Sequence, residues 1–136
     1  MAAAFDAAAS GLANSASSLS WSHTTSGSDR ILYVFVGGWD GTGRTATCTY
    51  GGTSMTLEAT SALSNGSDRV WCFRLANPAI GANTVAVTIT GGTMHLRGGS
   101  LSWTTAHQSS FGAPVTTVSS VNGTAVSSAV TDGASG

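Results

Sequence analysis

The sequence predicts an all-β protein: an antiparallel β-sandwich, jelly-roll or immunoglobulin-like, of eight to nine short strands. Three observations predict it. Apolar residues recur with a period of two along most of the chain, which puts alternate side chains on one face of a strand. Turn-forming Gly, Asn, Ser and Pro interrupt the pattern about every ten residues, as in sandwiches. Helix signals are scarce, since the one candidate stretch, "AAAFDAAAS", is short, uncapped and followed by Gly11.

The elements follow in order. "SSLSWSH" alternates and places Leu19, Trp21 and His23 together. "RILYVFVGG" is continuously apolar, the mark of a strand covered on both sides. "RTATCTY" sets Ala46, Cys48 and Tyr50 opposite three threonines, and Tyr50-Gly51-Gly52 then reads as a tight hairpin turn. "SMTLEA" returns with Met55, Leu57 and Ala59 inward. "DRVWCFRLA" sends Trp71, Phe73 and Leu75 to one side, and "NPAIG" ends it. "NTVAVTIT" is the cleanest strand, with Val85, Val87 and Ile89 inward. In "MHLRGGSLSW" the apolar parity changes from Met94 and Leu96 to Leu101 and Trp103, which predicts a bulge at Gly98-Gly99. Trp21, Trp71 and Trp103 fall in strand patterns and read as core. "SSFGAP" is a loop, and "VTTVSSV" and "TAVSSAV" read as two weaker strands split by Asn122-Gly123. The 136 residues suit one domain, with 1–15 as an extended N-terminal arm and 115–136 as a peripheral tail.

Composition narrows the function. Charged residues are only 8% of the chain and the net charge is -1. A nucleic-acid partner needs a basic face, and an electrostatic membrane grip needs a basic cluster; neither is expected. No apolar run approaches the ~20 residues of a membrane helix, and "MAAAFDAAASG" lacks the pattern of a signal peptide. In place of charge the chain carries 18 Gly, 21 Ser and 19 Thr. Such a bland surface suits packing against other protein.

"GSDR" occurs twice, at 27–30 and 66–69, each time before an apolar strand. Ser and Asp favour turns because their side chains bond nearby backbone, and arginine can lay its stem over a sheet edge. The pair therefore reads as one structural device used twice. Asp29 with Arg69, or Asp68 with Arg30, would form weak ion pairs if the strands are neighbours.

Catalytic candidates are few. Glu58 is the only glutamate and lies within a strand, while Asp6, Asp29, Asp40, Asp68 and Asp132 fall in turns or loops. His23, His95 and His107 are dispersed, with no local spacing for a metal, and each reads as a polar strand or loop residue. No nucleophile elbow is present. The expectation is no catalytic residue, no metal and no cofactor. Cys48 and Cys72 read as small buried side chains, with a disulfide as the lesser alternative. The conspicuous loop is "GGWDGTGR", residues 37–44. Trp39, Asp40 and Arg44 in it are the candidate contacts for a protein partner or a glycan. The competing reading is a hairpin whose Trp39 folds over the sandwich end. The sequons at Asn65 and Asn122 carry little weight without a signal peptide.

From about Ser20 to Pro114 the chain resembles a family of small β-sandwich domains of phage virion proteins and related bacterial surface proteins. The resemblance rests on "SWSHTTSGSDRILYVFVGG", "TYGGTSMT", "RVWCFRLANPAIGANTVAVTIT" and "SFGAP". It implies a non-enzymatic part of a virion, a head decoration or a fibre component, assembled in the host cytoplasm. Its implied partners are its own copies, trimers among them, and other virion proteins. Similar domains continue past "DGASG" into another apolar strand, so the resemblance also implies that a neighbouring chain completes the sheet. A carbohydrate-binding module or adhesin tip using Trp39 and Trp103 is the alternative.

Overall fold

The computed structural model describes residues 2–39, 42–62 and 67–109. Nine strands form two antiparallel sheets: β1 (Ala4–Ala16), β2 (Ser18–Thr25), β3 (Ile31–Trp39), β4 (Thr45–Tyr50), β5 (Thr53–Ser54), β6 (Thr56–Ala62), β7 (Arg69–Ala76), β8 (Gly81–Thr90) and β9 (Met94–Thr104). One sheet has the order β1-β9-β3-β7-β6 and the other β2-β8-β4-β5. β5 and β6 are one path that changes sheet at Met55. Counted as one strand they leave eight, and the pairs are first with eighth, second with seventh, third with sixth and fourth with fifth. The chain is thus one long antiparallel ribbon rolled on itself, which is jelly-roll topology and not immunoglobulin topology.

Alternation builds the core as expected. Leu19 and Trp21 of β2, Leu32, Val34 and Val36 of β3, and Val85, Val87 and Ile89 of β8 face inward, each at most 9% exposed. Trp71 and Phe73 of β7 and Met94 and Leu96 of β9 fill the space between the sheets. Tyr50 is buried with its hydroxyl 3.1 Å from the carbonyl oxygens of His23 and Gly81, so its polar end is satisfied. Gly51 and Gly52 after it have φ of 54° and 82°, conformations that glycine adopts at least cost, and they close the expected hairpin.

Four expectations are corrected. The stretch read as an extended N-terminal arm is, from Ala4, the strand β1, hydrogen-bonded along β9. No bulge occurs at Gly98-Gly99, because β9 pairs with β3 in continuous register from Ile31↔Trp103 to Trp39↔His95. Its inner face runs Met94, Leu96, Gly98, Ser100, Ser102, and Leu101 and Trp103 face outward. Trp103 therefore lies outside the core, edge-on to Tyr33 at 6.0 Å. Leu57 pairs with inward-facing Phe73 but is 46% exposed on the edge strand of its sheet, and Glu58 after it is an extra residue that shifts the register and pairs Ala59 with Cys72 on the outer face. The bulge carries an ion pair, Glu58 to Arg74 at 2.7 Å.

The doubled "GSDR" also resolves. β3 and β7 are neighbours, but they are antiparallel, so Arg69 stands opposite Gly38 while Arg30 precedes Ile31 opposite Ala76. The two copies lie at opposite ends of the strand pair, and neither cross-pair forms. Arg30 instead donates to the Pro78 carbonyl and the Asn77 side chain, tying the β2–β3 turn to the β7–β8 turn. The strands read at "VTTVSSV" and "TAVSSAV", the tail at 115–136, and Asn65 and Asn122 lie outside the described residues.

Candidate functional site

Of the three contact candidates, Trp39 and Arg44 are held by different partners. Trp39, the last residue of β3, is 40% exposed. Its ring stacks on His95 at 5.2 Å and 15°, and the Arg97 guanidinium lies 5.1 Å from its centroid. Arg97 donates to the Asn14 side-chain oxygen at 3.2 Å, and His95 Nδ1 lies 3.4 Å from the same oxygen. Trp39 is thus organised by β9 and β1, which no local sequence signal indicated. Arg44 is held elsewhere: it donates to the Gly91 carbonyl and lies against Gly92 in the β8–β9 turn. Asp40 lies outside the described residues.

Trp39 belongs to a larger surface, the outer face of the five-stranded sheet. Register places side chains there in rows. Phe5, Trp103, Ile31 and Ala76 form the first, and Ala8, Leu101, Tyr33 and Arg74 the second. Ser10, Gly99, Phe35 and Cys72 follow, then Leu12, Arg97, Gly37 and Val70. Phe5 is 63% exposed, Leu12 65%, Val70 51% and Phe35 43%. Tyr33 and Phe35 stack at 6.3 Å. Single exposed apolar residues are ordinary; here aromatic and aliphatic side chains lie together over one face.

The second feature is buried. Between the sheets a chain of polar groups runs Trp21, Ser100, His23, Ser102, Asp6. Trp21 Nε1 lies 2.8 Å from Ser100 Oγ, and that hydroxyl 2.8 Å from His23 Nδ1. His23 Nε2 is 2.9 Å from Ser102 Oγ, which is 2.8 Å from Asp6 Oδ2. The ends fix every proton. Indole only donates and carboxylate only accepts, so Ser100 gives its proton to Nδ1, and the neutral imidazole donates from Nε2 to Ser102. Ser26 closes the end with its amide and hydroxyl on Asp6.

Environment agrees with that assignment. Burial lowers the His23 pKa, and the Asp6 charge offsets this only in part. Burial raises that of Asp6, but hydrogen bonds from Ser26 and Ser102 outweigh it and hold the carboxyl below its ordinary value. Asp6 is the extra residue of a bulge in β1, between Phe5↔Trp103 and Ala7↔Ser102, and the bulge aims it at Ser102.

Serine, histidine and aspartate together suggest nucleophilic catalysis, but this arrangement does not perform it. The imidazole bonds two serines and no carboxylate, and His23, Ser100 and Ser102 are at most 1% exposed. Nothing here presents a nucleophile to a substrate. The network is a strut that joins β1, β2 and β9. Of the histidines, His23 is thus buried and His95 lies on the outer face. Among the described residues no group of three His, Cys, Asp or Glu side chains is placed to hold a metal ion. Cys48 and Cys72 are free thiols, the first inside the four-stranded sheet and the second on the outer face of the other.

Burial pushes the Cys48 thiol up to about 12. Folded protein is therefore expected to leave Cys48 unalkylated by iodoacetamide at neutral pH and to expose it on unfolding. Peptide mass spectrometry after labelling checks this, and modification of Cys48 at the rate of a free thiol would contradict it.

The fold and surface define a class: a two-sheet jelly roll with one apolar outer face. No protein-family model, curated protein or solved structure matches the chain.

Proposed function

We propose that the chain is a non-enzymatic structural protein of a phage virion, a head decoration or a fibre component, acting through protein–protein contact. One observation carries the contact role: the outer face of the five-stranded sheet leaves Phe5, Leu12, Phe35, Trp39 and Val70 exposed together. Burying such a face stabilises an assembly by roughly 25 cal/mol per Å² of apolar area before the costs of association. In a repeating lattice, many such contacts act at once. The resemblance of Ser20 to Pro114 to virion domains supplies the setting, and the near-zero net charge suits close packing of copies. Jelly rolls serve capsids and lectins alike, so the fold by itself does not choose.

Immunogold labelling of purified phage particles with an antibody to this chain tests the reading. Gold at regular positions on the head or the fibres is expected. Unlabelled particles, with the chain recovered only as free protein, would overturn it.

The glycan reading has its own observation, the half-exposed Trp39 ring beside Arg97 and Asn14. That ring is already stacked on His95, which leaves less of it for a sugar. Glycan-array binding lost in Trp39→Ala would favour it over protein contact.

A further inference from the structure

We infer that the outer face of the five-stranded sheet docks against the same face of a second copy of this chain, with Phe35 of each copy seated in a trough at Gly99 of the other. The inference rests on the protein-contact reading above and names the partner.

The first argument comes from glycines. Glycine inside a strand weakens it and marks a place where something approaches the backbone closely. In the five-stranded sheet, Gly11, Gly38 and Gly98 are explained from within. A Cβ on Gly98 would meet the Trp21 ring at 2.6 Å, one on Gly11 the same ring at 2.9 Å, and one on Gly38 the Met94 side chain at 3.0 Å. Gly99 and Gly37 are different. A Cβ on Gly99 meets nothing nearer than the Ala9 carbonyl at 3.8 Å, and on Gly37 nothing nearer than the Arg69 carbonyl at 4.0 Å. Neither has a positive φ. Internal packing and backbone conformation both allow a side chain there. Both glycines lie on the outer face, diagonal to each other, in rows bordered by exposed Phe35, Leu12 and Val70. Their smallness is useful only to something outside the sheet.

The second argument concerns what that something is. The face is close to neutral. Arg74 is met by Glu58 at 2.7 Å, which leaves the single positive charge of Arg97, held against Trp39 and Asn14. A strongly charged face would repel its own copy and would select a partner of opposite sign. This one does neither. Its shape is also self-complementary, because knob and trough are register partners: Phe35 stands directly across from Gly99. A twofold axis lying between the two faces, parallel to the strands and midway between β3 and β9, puts each knob over the other copy's trough, as an isologous interface requires. Two apolar sheet faces then pack about 10 Å apart, as the layers of a sandwich do.

Sedimentation velocity of the full chain at micromolar concentrations tests this, with three variants beside it. Wild type is expected at twice 13.5 kDa. Phe35→Arg and Gly99→Thr are expected to sediment as monomers, with association weakened roughly thirtyfold or more, the size of a hot-spot loss. Thr47→Arg on the four-stranded sheet is expected to remain a dimer. Circular dichroism establishes that each variant is folded, and Gly99→Thr has room for its side chain within the monomer. Monomeric wild type would overturn the inference, and so would a dimer that survives both outer-face variants. Monomeric protein that nonetheless labels phage particles would sink the self-docking and leave the virion reading standing.

Discussion

Trp21→Ala is expected to reduce the free energy of unfolding by about 3–5 kcal/mol, the range for removing a large buried aromatic. Three features put it near the top. The ring lies against two glycines, Gly11 and Gly98, which have no side chains to move into the space it leaves. Trp21 also begins the buried polar chain by donating to Ser100, so the substitution removes a hydrogen bond along with the packing. The ring spans both sheets, since β2 carries it while Gly11 and Gly98 belong to β1 and β9. Urea unfolding followed by circular dichroism measures the loss. A loss under about 1.5 kcal/mol would mean that the site collapses without its ring, contrary to the packing described. In the converse experiment, Gly98→Val drives methyl groups into the Trp21 ring and is expected to destabilise by about 1–3 kcal/mol or more through overpacking.

Stability is expected to fall on acidification in two stages. Burial holds the folded pKa of His23 below the ordinary imidazole value of 6.5. Between the two values the unfolded chain binds a proton that the folded chain does not, so stability is full above 6.5 and declines as pH falls toward the folded pKa. Asp6 has its folded pKa below 3.8, so its share is present above that value and is lost as pH falls through the folded pKa. The groups that face His23 are Asp6 from β1, Ser100 and Ser102 from β9, and Tyr50 from β4, and Asp6 is the only charge among them. When the imidazole gains its second proton, Nδ1 becomes a donor. Ser100 must then turn its own proton away, toward the Ala9 carbonyl at 3.4 Å. That contact is poorer than the one it replaces. Melting temperatures taken from neutral pH downward should show the first stage in wild type and lack it in His23→Gln. An unchanged first stage in the variant would assign it to another group.

Much of the fold was legible because β2, β4, β8 and the hairpin at Gly51-Gly52 obey simple alternation with one dry face. β1 was not. Its "AFDAAASGLANSA" is poor in strand-forming side chains, and it becomes a strand because β9 offers a partner and because Gly11 leaves room for the Trp21 ring. The inner face of β9 misled for the opposite reason. Gly98, Ser100 and Ser102 look solvent-facing in sequence, yet they are small and polar because an indole and an imidazole from β2 occupy the space above them. Leu101 and Trp103 look inward, but they belong to an outer face that is itself apolar. Period-two reasoning finds two faces; it cannot decide which is the core when both are greasy. Trp39 was visible as a conspicuous aromatic residue. Asn14, His95 and Arg97 were not, because register across three strands brings them together.

The rolled ribbon has a consequence for how the chain comes into being. Phe5 finds its strand partner in Trp103, and Ile31, paired with Ala76 on one flank, waits for the same strand on the other. About a hundred residues of chain separate the first strand from the strand it hydrogen-bonds to. Contact order is high, so folding is slow. Until then β3 has no neighbour on one flank, and its Leu32, Val34 and Val36 lie open to misassociation.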